Sequence, residues 1–412
     1  MKKLNLLLLV ISFACSDEIT YTEQITEQII NTGESPAISV KDFGAKGDGT
    51  TDDTKAFQDA INAAIEADGA ELLIPIPTYF YNIKNTITIK PAAADPQCYL
   101  NIRAFGVTNT QIRYTGPGNR AVFKIVGLKS STISGVKVWV VEGVSGVVVW
   151  DIDTTPEYSS TSLVTFTNCI TLLGNGVNNV GWRLGHISGG SGDVSNYQWE
   201  NCAAYGDEGT GVVVPGQIGW LSEGRNTLLN NWFGGFGAYL DKIFSNASQP
   251  GTGATTENGN GSVSFFGLGG SHNNIDFEFH AEQTYLISGG RFEVGKKFIV
   301  VKDGVEDPII TVTGAEVEDY APTDGNLIYM GRPASLTLDG CRMIAKSGDF
   351  SNMITLAGER GLGRLLVRGG SYTAPKPFYK ITKGTWQVDI QSVGKLNGPY
   401  ATEFFDNEPP SD

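Results

Sequence analysis

The chain is short of histidine, methionine and cysteine, with 3, 4 and 5 residues among 412. Cys98, Cys169, Cys202 and Cys341 follow no CxxC or zinc spacing, so a sequence-encoded zinc site is excluded. Basic charge is also short. Lys and Arg number 30 against 44 Asp and Glu, a net charge of −14. That balance argues against nucleic acid, whose phosphates need a basic face. Beyond the N-terminus no apolar run is long enough to cross a membrane. Long helical patterns are scarce as well. Glycine is plentiful instead, 52 residues without a collagen period. Val, Ile, Thr and aromatic residues fill the body, which points to many short strands separated by turns. A chain of this length buries a large core as one long domain or two smaller ones.

Lys2 and Lys3 precede the apolar "LNLLLLVISFA" and then Cys15. A short charged region before such a run reads as a signal peptide over residues 1–15, with Cys15, directly after Ala14, as the expected lipidation site. The following "CSDE" resembles the acidic surface-export signal of Bacteroidetes lipoproteins. The expected location is therefore the outer membrane or cell surface. Residues 16–37 read as a polar tether and 403–412 as an acidic tail.

The stretch "VKDFGAKGDGTTDDTKAFQDAI" from Val40 to Ile61 packs Asp42, Asp48, Asp52 and Asp53 before an apolar-periodic segment. Ala56, Phe57, Ala60, Ile61 and Ala64 share one helical stripe, with Thr51 or Asp52 as cap and Gly69 past the end. The four aspartates are expected to shape turns and caps rather than to catalyse. After this come "LLIPIPTY" and further strands. The order of loop, helix and strands over residues 38–90 resembles the N-terminal segment of the pectate-lyase-3 and polygalacturonase-like superfamily. The resemblance implies a right-handed parallel β-helix whose first coil is covered by the helix. Residues 38–98 are then a capping segment with the first coils, and 99–402 the β-helix body.

Downstream, "YLISGGRFEV", "ITVTGAEVED", "LTLDGCRMIA" and "LLVRGGSYTA" align without gaps on Gly289, Gly314, Gly340 and Gly369, at intervals of 25, 26 and 29 residues. A period of this size means stacked coils. Gly135, Asn168 and Asn201 hold the same place in looser copies, as suits a positive φ. Ile133, Phe166, Trp199, Ile287, Val312, Leu338 and Val367 form an inward column, and three cysteines fall in a second one, where buried free thiols are expected. Alternation turns Arg291, Glu316 and Arg342 to solvent, with Glu316 between the two arginines and Glu293 stacked on Glu318.

For chemistry, "NNIDFEFHAEQTY" alternates Asp276, Glu278, His280 and Glu282 with Phe277, Phe279 and Ala281. As one strand it would set four titratable groups on an exposed face, roughly 6.5–7 Å apart. Crowded carboxyls differ in pKa, which supplies the acid and base of glycosidic hydrolysis, with Glu278 as the expected acid. The alternative is a solvated polar strand. Asp207 and Glu208, at a Gly-rich turn, form a competing pair that could equally bind Ca²⁺. Trp182, Arg183, His186, Arg225 and Arg291 are expected to contact sugar or its anionic groups.

The superfamily includes polygalacturonases, pectate lyases, tailspike hydrolases, carrageenases and epimerases. This chain lacks the Gly-His-Gly with Arg-x-Lys of the first and the Arg-x-Pro-x-x-Arg of the second. The resemblance therefore implies the fold, and the chemistry is read from the residues. The expectation is an endo-acting glycoside hydrolase on a long polysaccharide, for example an anionic one such as a sulfated algal fucan or carrageenan. A lyase on a uronic-acid polymer and a non-catalytic glycan-binding β-helix are the alternatives.

Overall fold

The computed structural model describes residues 37–393, apart from 68–69, 92–97, 159, 186–192, 224–226, 228, 247–260, 281–282, 303–307, 323–324, 346–351, 359–360, 374–377 and 392. The aspartate-rich entrance is structural. Asp48 accepts from the backbone and hydroxyls of Thr50 and Thr51. Those bonds hold its carboxyl well below the usual range. Asp53 is buried and accepts from the amides of Lys46, Gly47 and Asn82, tying the glycine loop to the next strand. The N-cap of the helix Thr54–Glu66 is Asp53 and not the expected Thr51 or Asp52; Asp52 accepts from the Thr54 amide at 3.0 Å in the turn just before it. That helix buries Ala56, Phe57, Ala60, Ile61 and Ala64 against the strands Ile38–Ser39, Glu71–Ile74 and Ile87–Ile89.

From Glu71 onward the chain repeats one order. Each coil lays a strand in sheet I, then sheet II, then sheet III, beginning with Glu71–Ile74, Tyr81–Ile83 and Ile87–Ile89. Every strand pairs in parallel with its counterpart one coil on. Among the described residues sheet I has 14 strands, and sheets II and III have 11 each. This is an all-β, right-handed parallel β-helix with an N-terminal capping helix.

Sequence register and spatial register agree. Ile133, Phe166, Trp199, Trp232, Phe265, Ile287, Val312, Leu338 and Val367 are direct neighbours in sheet I and are buried. Their rings stack along the axis, Trp199 on Trp232 at 4.4 Å and Trp232 on Phe265 at 4.6 Å. Gly135, Asn168, Asn201, Gly234, Gly267, Gly289, Gly314, Gly340 and Gly369 share one corner, with φ between 50° and 70°. Cys169, Cys202 and Cys341 are buried free thiols, as is Cys98. On sheet II, Glu316 pairs in register with Arg291 and Arg342, and Glu293 with Glu318. Arg342 bridges Glu316 and Glu318, and Arg291 bridges Glu293 and Glu318.

Candidate functional site

Among the described residues, the outer face of sheet III holds four buried carboxylates: Asp151, Asp153, Glu223 and Glu278. One outer row runs Lys124, Asp151, Arg183, Leu221, Ser245, Glu278, Val300 and Tyr329 from coil to coil. Strands of this sheet do not alternate strictly. Two successive residues turn inward: Val149 with Trp150, Ile243 with Phe244, Asp276 with Phe277, Phe298 with Ile299. The sheet bends there to close the coil, so a simple period of two fails at that point.

This bend corrects the expected four-group face. Asp276 is 1% exposed and faces the interior. It accepts from Tyr320 Oη and from Asn273 Nδ2. Burial pushes its carboxyl up to about 7 despite those two bonds. Glu278 does point outward, yet it too is only 1% exposed. Its Oε1 accepts from Lys242 Nζ at 2.9 Å and Ser245 Oγ at 3.1 Å, and Lys302 Nζ lies 3.5 Å from Oε2. Burial opposes its ionisation, but Lys242 and Lys302 outweigh that and hold the carboxyl below its ordinary value. Glu278 is thus an ionised partner of two lysines, not the proton donor expected. His280 is driven down to about 4 by burial, with Arg332, Lys302 and Lys242 adding to it and Glu278 opposing, so it is neutral near pH 7. Glu282, His186, Arg225 and Cys15 lie outside the described residues.

The competing turn is also structural. Asp207 is buried and accepts from Thr210 N and Oγ1, closing a turn that bridges to Val212. Glu208 is exposed beside it. Among the described residues no three His, Cys, Asp or Glu side chains gather to hold a metal ion. Trp182 is fully buried and stacks on Trp220 at 5.0 Å, so its ring is core and is closed to sugar. Arg291 is exposed on sheet II, away from the sheet III row.

Arg183 is where the geometry concentrates. Its Nε donates to Asp151 Oδ1 at 2.9 Å. Burial works against its charge, but Asp151 first, then Glu223 and Asp153, more than restore it. Asp151, Asp153 and Glu223 are each at most 6% exposed. Gly185 donates its amide to Ile152 and Glu223 to Leu184, which continues the ladder so that Asp153, Gly185 and Glu223 share a second outer row. Gly185, which has no side chain, stands between Asp153 and Glu223 in that row. Next to this cluster lies an open groove of about 560 Å³ lined by Thr86, Arg120, Lys124, Asp151 and Arg183 among others.

Of these, only Arg183 was expected from the sequence. The signal for the rest was three tryptophan-anchored copies, "WDID", "WRLG" and "WLSEG", at Trp150, Trp182 and Trp220. Aligned on tryptophan they set Asp151, Arg183 and Leu221 in one row.

Residues 37–93 match the family described as rhamnogalacturonase A/epimerase, pectate lyase-like. Alginate lyase 7 of Azotobacter vinelandii is 58% identical over 41 residues, which is 10% of this chain and only 5% of that protein. Among solved structures, the tailspike of E. coli bacteriophage HK620, in complex with a pentasaccharide, has a TM-score of 0.59 at 13% identity, over 89% of this chain and 66% of that one. The A-module of the Azotobacter vinelandii mannuronan C-5 epimerase AlgE4 has a TM-score of 0.50 at 15% identity, over 88% and 98%.

Proposed function

We propose, on the premise that the chain is a member of the pectate-lyase and polygalacturonase-like superfamily of parallel β-helices, that it is an endo-acting glycoside hydrolase of long polysaccharides. The observation that carries this reading is the convergence of Asp151, Asp153 and Glu223 on Arg183. Three carboxylates around one guanidinium leave negative charge in excess, and hydrolysis of a glycosidic bond needs two carboxyls, one as acid and one as base.

Asp153 and Glu223 are the reacting pair. Asp153, whose Oδ1 accepts from the Thr154 amide at 2.8 Å, takes the role of base. Glu223 donates its proton to the leaving oxygen. Asp151 holds Arg183 in place. The backbones of the pair stand two coils apart, about 9–10 Å, across Gly185. The N-terminal leader supports export, with Cys15 as the attachment point of a lipid; loss of palmitate labelling in Cys15→Ser tests that part.

Gel filtration of a polysaccharide panel after digestion tests the activity. On whichever polymer is shortened, Asp153→Asn and Glu223→Gln should each lose about 10²-fold or more in turnover while remaining folded. Glu278→Gln should keep most of its turnover. NMR of the fresh product tells retention from inversion at the anomeric carbon. Ultraviolet absorbance from an unsaturated uronic product would make the enzyme a lyase. Binding without any change of polymer size would make the β-helix a non-catalytic receptor.

A further inference from the structure

The two ends of the coil stack are not alike. The helix Thr54–Glu66 covers the first coil. At the other end the last strand of sheet I is Thr385–Gln391. All seven of its residues pair with Leu362–Arg368, and among the described residues no strand pairs with its far side. Its inward row is Trp386, Val388 and Ile390, which pack on the core and stay partly exposed. Trp386 lies across Gly363, where any Cβ would run into the indole. Gln387 and Asp389 face outward between them.

The ladder fixes which backbone groups are free. Gln391 O accepts from Gly369 N, so residues in phase with Gln391 aim their amides and carbonyls back at the stack. Those of Trp386, Val388 and Ile390 point off its end. The strand is self-complementary about Val388. Laid antiparallel on a copy of itself, it sets Val388 opposite Val388 and Trp386 opposite Ile390. These are the residues with free backbone groups, and they close about six hydrogen bonds. Gln387 falls opposite Asp389 at a non-hydrogen-bonded place, where side chains come closest. The Gln387 amide can donate to that carboxylate, which holds Gln391 Nε2 on Oδ2 at 2.8 Å and has a second oxygen to offer. No carboxylate meets a carboxylate. Arg364, exposed one strand beneath Gln387, adds positive charge where the partner's Asp389 arrives. Residues 392–412 are poor competitors for the edge. They carry Pro399, Pro409 and Pro410 with Glu403, Asp406, Glu408 and Asp412, and proline and charge are what keep strand edges from pairing.

We infer that this edge is an isologous interface between two copies of the chain, joined tail to tail through antiparallel pairing of Thr385–Gln391. Sheet I then runs on through both copies. The helix-covered ends face away from the junction, so the assembly closes at two copies instead of growing into a fibre. The inference is independent of the hydrolase reading, since no residue of the sheet III cluster takes part.

Sedimentation equilibrium of the full chain tests it, and a dimer is expected. Gln387→Asp sets aspartates face to face on both sides of the two-fold and should raise the dissociation constant about tenfold. Gln387→Lys gives each Asp389 a cation and should lower it about tenfold. Gln387 is exposed in the monomer, and circular dichroism checks that both variants fold. Gln198→Asp, exposed on the same face of sheet I but in the middle of the stack, should leave the affinity unchanged. A monomeric wild type overturns the inference and leaves residues 392–412 as the cover of the edge. A dimer that responds in the same direction to Gln387→Asp and Gln387→Lys, or to neither, also overturns it, because another face then holds the copies together. Assembly beyond two copies overturns the isologous geometry.

Discussion

Asp276 sits one step out of phase with strand alternation, and its consequences are thermodynamic. The carboxyl is enclosed with Tyr320 and Asn273 inside the coil stack. Folded, it titrates near 7, against 3.8 for a free aspartate. The folded state therefore binds a proton that the unfolded state has already released. Stability from this group is full below the free value and is lost as pH rises from about 4 to about 7. Urea denaturation at about pH 4 and about pH 8 should show the wild type losing stability over that interval. Asp276→Asn, which keeps the shape and stays neutral, should lose markedly less. Equal pH dependence in the two proteins would refute the buried-proton account. Glu278, two residues on, differs because Lys242 and Lys302 are within reach.

At the scale of the element, the corner between sheets I and II shows which property of glycine the repeat uses. A Cβ added at Gly289, Gly314, Gly340 or Gly369 would meet no atom within 4 Å. Room is not the constraint; the positive φ is. Asn168 and Asn201 occupy the same corner in earlier coils with φ of 50° and 51°, which asparagine tolerates better than most residues. Gly314→Asn should accordingly be close to neutral. Gly314→Val should cost roughly 1–2 kcal/mol, read as a lower urea midpoint with an unchanged slope. Equal effects of the two substitutions would mean that something other than φ governs the corner.

At the scale of the molecule, a stack of parallel coils has an open end that must be closed. The capping helix does this with polar as well as apolar contacts. Gln58 donates from Nε2 to Thr88 O at 2.8 Å and accepts from Thr88 N at 2.7 Å, which satisfies both backbone groups of the first strand of sheet III. An unpaired edge strand is a template for another chain. Gln58→Ala should cost about 1–2 kcal/mol and increase self-association in light scattering. A variant that stays as stable and as monodisperse as the wild type would show that the apolar stripe alone closes the end.

The sequence by itself determined the repeat, the inward columns, the left-handed corner and the capping helix. Each is a local preference copied once per coil, so periodicity alone exposes it: Trp199 and Gly314 have the same role as their counterparts a coil away. It also determined that Asp42, Asp48, Asp52 and Asp53 belong to turns and caps. The site was a different matter. Arg183 was singled out, but Asp151 and Asp153 on one strand and Glu223 two coils on come near it only when the coils stack. Asp276 was misread because the bend of sheet III turns two successive residues inward, and a period of two carries no sign of that bend; Trp182 was misread because it was taken for a loop residue, whereas it lies on the strand Val180–Leu184 with its ring inward. Tertiary structure alone decided which carboxylates keep their charge. Ionisation depends on the company each group keeps across coils, and Lys242 and Lys302 are remote from Glu278 in the chain and adjacent to it in space.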